Sequence, residues 1–172
     1  SAFAHSGASA THGAFAGFMH PVSGLDHVLA MISVGLLAYV LGGRALWLVP
    51  AAFVVMMAAG GFAGMSGMEM PFVELGIGMS IVVIGFAAVL GRKISLASAM
   101  GLVGVFAIFH GFAHGAEMPG AASGLAYGAG LIAATSLLHA AGIALCFAMT
   151  RFTGTGGMLA ARTTCGVTRS AG

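Results

Sequence analysis

Two short segments concentrate the side chains that could bind a metal ion. Residues 20–27 read HPVSGLDH and residues 109–117 read FHGFAHGAE. In the second segment His110 and His114 are four residues apart, and Glu117 follows three residues later. On a helix these three side chains lie on one face. Imidazole nitrogen combined with carboxylate oxygen suits Ni²⁺, Co²⁺, Zn²⁺ or Cu²⁺.

The charges of the two segments favour a divalent cation as their ligand. Ionisable groups within a membrane are costly and usually functional, and a cation that has lost its hydration needs about two negative charges nearby. Asp26 and Glu117 supply two, whereas neutral histidines supply none. We therefore expect one metal-handling set, with its members drawn from both segments: His20, Asp26, His27, His110, His114 and Glu117.

Three further residues could assist such a site. His139 lies in the middle of a later apolar segment, where it is either a second metal station or a histidine bonded to a neighbouring backbone carbonyl. His5 lies near the N-terminus and could capture metal weakly. Glu74 begins an apolar segment, where a carboxylate caps a helix N-terminus or alternatively supports the site.

The composition places these residues in a membrane protein. Hydrophobic residues make up 59% of the 172 residues and charged residues only 6%, with a mean hydropathy of +1.06. About one quarter of a soluble domain is charged. The net charge of +2 suggests no nucleic-acid partner. We predict an all-α, polytopic transmembrane bundle that forms a single domain over residues 1–172, with the lipid bilayer as its partner.

Apolar runs predict about five spans. The first, Ala14–Leu41, must be broken near Pro21 and Gly24, because its clean apolar part of 14 residues reaches only about 21 Å of a roughly 30 Å hydrocarbon core. Asp26 and His27 then lie within the membrane or at its edge. The remaining spans are Ala45–Gly64, Phe72–Leu90, Leu96–Gly115 and Gly124–Met149. Three Gly-x3-Gly pairs would allow close helix contacts, at residues 60 and 64, 111 and 115, and 124 and 128.

The N-terminus and the positions of the basic residues indicate how the protein is oriented in the membrane. Ala2-x-Ala4 fits a signal-peptidase site, so residues 1–4 are interpreted as a signal-peptide remnant and residues 5–13 as an outer stretch. An outside N-terminus places the basic residues on the inner side, in the two inner loops and directly after the last span, as the positive-inside rule requires. These residues are Arg44, Arg92, Lys93 and Arg151.

Residues 152–172 are too polar for an ordinary span and are predicted to be a loose or interfacial tail.

The two histidine motifs resemble those of the HupE/UreJ family. H-P-x-x-G-x-D-H is followed later by F-H-G-x-A-H-G-x-E, and similar stretches surround residues 42–50, 73–77, 125–127 and 138–142. The similarity extends from about His5 to Met149. The chain departs from the family after Gly154, where members usually continue into a further apolar span.

This resemblance implies a bacterial inner-membrane protein that supplies nickel or cobalt to hydrogenase or urease. It also implies that the six clustered residues handle the metal. The leading hypothesis is thus a nickel or cobalt permease with no enzymatic activity. A haem-binding membrane redox protein is the alternative, because paired intramembrane histidines can ligate haem. A metalloprotease is disfavoured because Gly111 occupies the position of the catalytic Glu in H-E-x-x-H.

Overall fold

The protein is represented by a computed structural model that describes residues 3–120 and 123–152. Within these residues it is helical, with six α-helices, one short 3₁₀ turn and no strand. The elements are α1 Phe3–Ser23, α2 Leu25–Leu41, α3 Ala45–Met65, α4 Val73–Leu90, the 3₁₀ turn Gly91–Lys93, α5 Leu96–Ala116 and α6 Gly124–Phe152. The predicted tail lies almost wholly outside the described residues.

Four helices are individually long and apolar enough to cross a membrane. They are α3, α4, α5 and α6, and the pair α1 and α2 adds a fifth span if it is counted as one. The prediction of a polytopic helical bundle with about five spans is confirmed. Two helices end at a glycine with positive φ: α2 at Gly42 and α4 at Gly91. Glycine is favoured at such positions because it has no Cβ to clash in a left-handed backbone. Ser95 begins α5, and its hydroxyl accepts a hydrogen bond from the backbone N–H of Ser98.

The break in the first span lies at Gly24. Described residues on its two sides, His12–Ser23 and Leu25–Leu41, meet at 84°. Pro21 remains inside α1, and α1 begins at Phe3, well before the predicted start at Ala14. A Cβ at Gly24 would lie 2.8 Å from Asp26 Oδ1 and 3.1 Å from His27 Nδ1. The glycine therefore leaves room for these two side chains at the start of α2.

Glycines also bring α3 and α5 into backbone contact. A Cβ at Gly60 or Gly64 would overlap the α5 backbone, and one at Gly111 or Gly115 would overlap the α3 backbone. Two of the predicted Gly-x3-Gly contacts are thus confirmed. The third prediction is wrong at Gly128, where an added Cβ meets nothing within 4 Å.

The long helix α6 receives both halves of the broken pair. Gly17 of α1 lies against the Tyr127 carbonyl, and Gly130 lies against the Ala14 carbonyl. Further along, Gly35 of α2 lies against the His139 carbonyl, and Tyr39 hydrogen-bonds to Thr150 at 2.9 Å. Helix α6 therefore contacts the helices on both sides of the bend at Gly24, along most of the length of α6.

Acidic and basic residues collect at opposite ends of the bundle. Asp26, Glu69, Glu74 and Glu117 lie where α2 and α4 begin and where α3 and α5 end. At the other end, a cavity of about 450 Å³ joins Arg44 in the α2–α3 loop to Ile94 and Leu96 at the start of α5. The end of α6, with Arg151, lies there too. One end of the bundle is therefore acidic and the other is basic.

Candidate metal site

Four histidines from three helices converge below the acidic end of the bundle. His20 is near the end of α1, His27 is in the first turn of α2, and His110 and His114 face them from α5. The ring centroid of His27 lies 4.7 Å from that of His114 and 5.0 Å from that of His110. The His20 and His114 centroids are 4.9 Å apart. The structure thus brings together the histidines of both sequence motifs.

Burial deepens from the mouth of this cluster to its floor. Glu117 is 64% exposed and Asp26 is 50% exposed, whereas the side chain of His20 is 28% and that of His27 is 14% exposed. His110 and His114 are completely buried. The carboxylates accordingly lie at the mouth and the paired α5 histidines at the floor.

Each carboxylate of the predicted set is bonded to a histidine. Glu117 Oε2 lies 3.0 Å from His20 Nε2, across 97 positions of sequence. Asp26 Oδ1 lies 3.0 Å from His27 Nδ1 and also accepts the His27 backbone N–H at 2.9 Å. Because a carboxylate can only accept, it favours an N–H on the imidazole nitrogen that it contacts. His27 then presents the lone pair of Nε2.

His110 has a hydroxyl partner instead. Ser80 of α4 is completely buried, and its Oγ lies 3.0 Å from His110 Nε2. Four ring nitrogens of the cluster are buried without a hydrogen-bond partner among the described residues: His27 Nε2, His110 Nδ1 and both nitrogens of His114. Unpaired buried polar atoms cost about 1–3 kcal/mol each, so such a concentration is characteristic of a functional site rather than of a packed core.

The donors are close together but are not aligned as metal ligands. Throughout the described part of the chain, no three His, Cys, Asp or Glu side chains form a ready-made metal-binding group. The cluster is instead a set of packed histidine rings, edge to face in the His20–His114 and His27–His110 pairs and tilted at 50° in the His27–His114 pair. Their hydrogen-bonded nitrogens lie on the mouth and α4 sides. Any bound metal therefore requires the rings to turn.

A cavity of about 520 Å³ opens beside the cluster. Its lining includes Asp26, His27, Glu74 and Glu117, and the remaining residues are apolar. Sequence reasoning favoured helix capping for Glu74. Its position in this lining gives the alternative, support of the site, a structural basis. Three carboxylates at one opening make the mouth attractive to cations.

His139 lies apart from the four clustered histidines. It is 2% exposed, and neither ring nitrogen has a hydrogen-bond partner in the described residues. The predicted alternative of a bond to a backbone carbonyl is not observed. The buried ring of Phe53 contacts both His139, with centroids 5.1 Å apart, and His110, at 5.7 Å. Beside His139 is a groove of about 350 Å³ lined by residues of α3 and α6.

Some site residues were not singled out by the sequence. Ser80, Phe53 and Tyr127 stand in apolar segments where no spacing marks them; Tyr127 lies beside His20, with ring centroids 6.1 Å apart. A serine or tyrosine inside an apolar span is the only available signal, and many such residues serve packing alone. The surroundings of the His5 side chain lie outside what the structure describes.

Comparison with known proteins defines the class to which this helical bundle and its histidine cluster belong. The chain matches the HupE / UreJ protein family over residues 1–172, and it belongs to that family. It is 44% identical to Protein HupE of Rhizobium leguminosarum bv. viciae over 171 residues, which cover 99% of this chain and 87% of that protein. No solved structure matches the chain. The family resemblance inferred from the two motifs is confirmed.

Proposed function

We propose that the protein is a permease for nickel or cobalt that carries the divalent cation across the membrane through the histidine cluster. The observation that carries the proposal is the convergence of four intramembrane histidines below a mouth lined by carboxylates. Nitrogen ligands suit late divalent transition metals, whereas Mg²⁺ and Ca²⁺ prefer oxygen. The acids offset the charge of the ion as it leaves water.

The spacing of the rings supports a shared ligand set. With a metal–nitrogen distance of about 2.0–2.1 Å, two imidazoles bound at roughly 90–110° have centroids about 4.5–5.2 Å apart. The His27–His114 and His27–His110 separations of 4.7 and 5.0 Å fall in this range. These separations are therefore compatible with a metal shared between the rings once the rings turn.

The deeper residues suggest a route from the cluster toward the basic end. The cation enters among Asp26, Glu74 and Glu117 and is bound by the clustered histidines. It then passes Phe53 to reach His139 as a second station. A buried imidazole with two unpaired nitrogens is suited to brief coordination, since no hydrogen bond must be broken first.

Uptake into liposomes that contain only the purified protein tests the function. We expect nickel to accumulate inside the liposomes, and measurements with and without a proton gradient identify the energy source. Micromolar Co²⁺ should compete with nickel, whereas millimolar Mg²⁺ should not. Absence of uptake under both conditions contradicts the permease, and equally strong inhibition by Mg²⁺ contradicts nitrogen ligation.

We further propose a bacterial inner-membrane location with the acidic mouth and the N-terminus outside, and delivery of the metal to hydrogenase or urease. The segregation of Arg44 and Arg151 from the acids supports this orientation. In a chain whose native cysteines are replaced, a single cysteine at Ser66 should react with an impermeant thiol reagent from outside and one at Ser95 from inside. The reverse pattern contradicts the orientation.

A further inference from the structure

The hydrogen bonds of Ser80 determine which nitrogen of His110 can bind a cation. Ser80 Oγ donates its hydrogen to the carbonyl oxygen of Ile77 at 2.6 Å, within the same helix. A serine hydroxyl has one hydrogen, and a carbonyl oxygen can only accept. Toward His110, 3.0 Å away, the hydroxyl is therefore an acceptor.

Since Ser80 accepts, Nε2 of His110 must carry the hydrogen. A neutral imidazole has one N–H, so the lone pair of His110 is on Nδ1. That atom is buried and has no hydrogen-bond partner among the described residues. His27 is held in the opposite tautomer, because Asp26 accepts from its Nδ1 and leaves Nε2 unpaired. The two neighbouring rings thus each retain one free lone pair.

We propose that Ser80 is a positioning residue of the metal site, which holds His110 in the tautomer that offers Nδ1 to the cation. The inference rests on the proposed function, and it adds a positioning residue from α4 to a histidine cluster built from α1, α2 and α5. Groups that orient metal-binding histidines through the second ring nitrogen fix both the ring and its tautomer. Ser80 fills this role for His110 as Asp26 does for His27.

The chain provides a matched control for this role. Ser33 of α2 is 9% exposed, and its hydroxyl donates to the carbonyl of Leu29 at 2.8 Å, one turn earlier. It has the same kind of helix bond as Ser80 but makes no hydrogen bond to an imidazole of the described residues. Ser33→Ala therefore reproduces the loss of a buried hydroxyl and of its carbonyl bond, without removing a hydrogen bond to a histidine.

The first measurement is made on metal-free protein. Nitrogen NMR of ¹⁵N-histidine-labelled protein in micelles reports which ring nitrogen of each histidine is protonated, and the resonances absent from His110→Gln identify those of His110. We expect hydrogen on Nε2 in the wild type and in Ser33→Ala, and a mixture of tautomers in Ser80→Ala. Hydrogen on Nδ1 in the wild type overturns the inference, whether or not the protein transports nickel.

The second measurement is equilibrium binding of Ni²⁺ to the same purified proteins. Loss of a group that orients a metal-bound histidine typically lowers affinity by about 10–100-fold. We expect such a decrease for Ser80→Ala, unchanged affinity for Ser33→Ala, and substantial recovery for Ser80→Thr, which retains a hydroxyl. Wild-type affinity in Ser80→Ala, with its structure retained by circular dichroism, overturns the role of Ser80. Failure of the wild type to bind nickel instead overturns the proposed function.

Discussion

The clustered histidines and His139 all lie inside the bundle, half-buried at His20 and His27 and buried at the others, but they differ in what holds them. His20, His27 and His110 each have one ring nitrogen bonded to a carboxylate or hydroxyl from the surrounding residues. His114 and His139 have no such bond among the described residues; His114 lies against the rings of His20 and His27, whereas His139 contacts the ring of Phe53. The cluster also lies beside three carboxylates, whereas the groove at His139 contains none.

The difference in hydrogen bonding suggests different roles in cation binding and in cation passage. A fixed ring reduces the conformational freedom that is lost when a cation binds, so orienting partners increase affinity. An unfixed ring in apolar surroundings binds more weakly and releases its ion more readily. Within the proposed function, we therefore infer that the cluster recognises the cation and that His139 passes it onward.

The largest effect is expected from loss of the cluster histidines. His27→Ala and His110→Ala should each reduce nickel uptake by more than about tenfold, since each removes a ligand of one site. The double variant should be little worse than either single variant, because residues that act together are not additive. His12→Ala, at an exposed position of α1, serves as the control. Uptake is measured at matched membrane abundance, and near-normal uptake by His110→Ala contradicts the site.

A nearly equal effect is expected when the backbone that carries the cluster is displaced. A Cβ at Gly111 would overlap the Met57 carbonyl, so α3 and the segment of α5 that carries His110 would have to move apart. Gly111→Ala should lower stability by about 1–3 kcal/mol, as overpacking does, and should reduce uptake further than its stability alone explains. Gly128→Ala, which meets nothing within 4 Å, should lower neither, and the higher helix propensity of alanine favours a small gain in stability. The stability and the nickel uptake of the two variants are measured by thermal unfolding in detergent and by liposome assay. Equal behaviour of the two variants contradicts the contact between α3 and α5.

Charge at the mouth is expected to matter less than the ligands. Asp26→Asn retains an oxygen that can accept from His27 but removes one negative charge, so about a tenfold loss of uptake is expected. Glu74→Gln should mainly raise the nickel concentration needed for half-maximal uptake, because Glu74 lines the mouth and has no hydrogen bond to a histidine whose side chain the structure describes. The concentration dependence of uptake distinguishes the two effects. Unaltered kinetics in Asp26→Asn would show that its charge is not used.

Much of this arrangement could be predicted because it depends on composition and short spacings. Apolar length fixes the spans, and the start of α5 at Leu96 and that of α6 at Gly124 agree with the predicted boundaries. Spacing also placed His110 and His114 together on α5. The break was predicted near Pro21 and Gly24, yet the bend lies at Gly24 alone, since the proline is accommodated inside α1.

The rest depends on contacts between distant segments, which spacing does not reveal. Ser80 is 30 positions from His110, and the bond between them arises only because α4 packs beside α5. Gly128 has the same local pattern as Gly111 but faces open space. A motif therefore identifies which residues can carry chemistry, whereas helix packing decides which neighbours orient them.

The smallest and most informative effect concerns His139, whose role can be separated from its packing. Its two unpaired nitrogens carry a desolvation cost, and removing an unsatisfied buried polar group stabilises a protein by about 1–3 kcal/mol. His139→Leu fills similar space with apolar atoms, so the variant should unfold at a higher temperature. If His139 is a transfer station, uptake should nevertheless fall partially, while equilibrium nickel binding at the cluster is retained.

Ser136→Ala, at a neighbouring position in the same groove, is the matched control and should leave uptake unchanged. The His139→Leu variant is examined by thermal unfolding, nickel binding and liposome uptake. Greater stability with undiminished uptake would make His139 a residue without a transport role. Loss of nickel binding in His139→Leu would make His139 part of the binding cluster. The distinction between recognition and transfer would then be wrong. Only a stable variant that binds nickel but transports it slowly supports two stations, because a packing defect alone would lower stability and a ligand defect alone would lower binding.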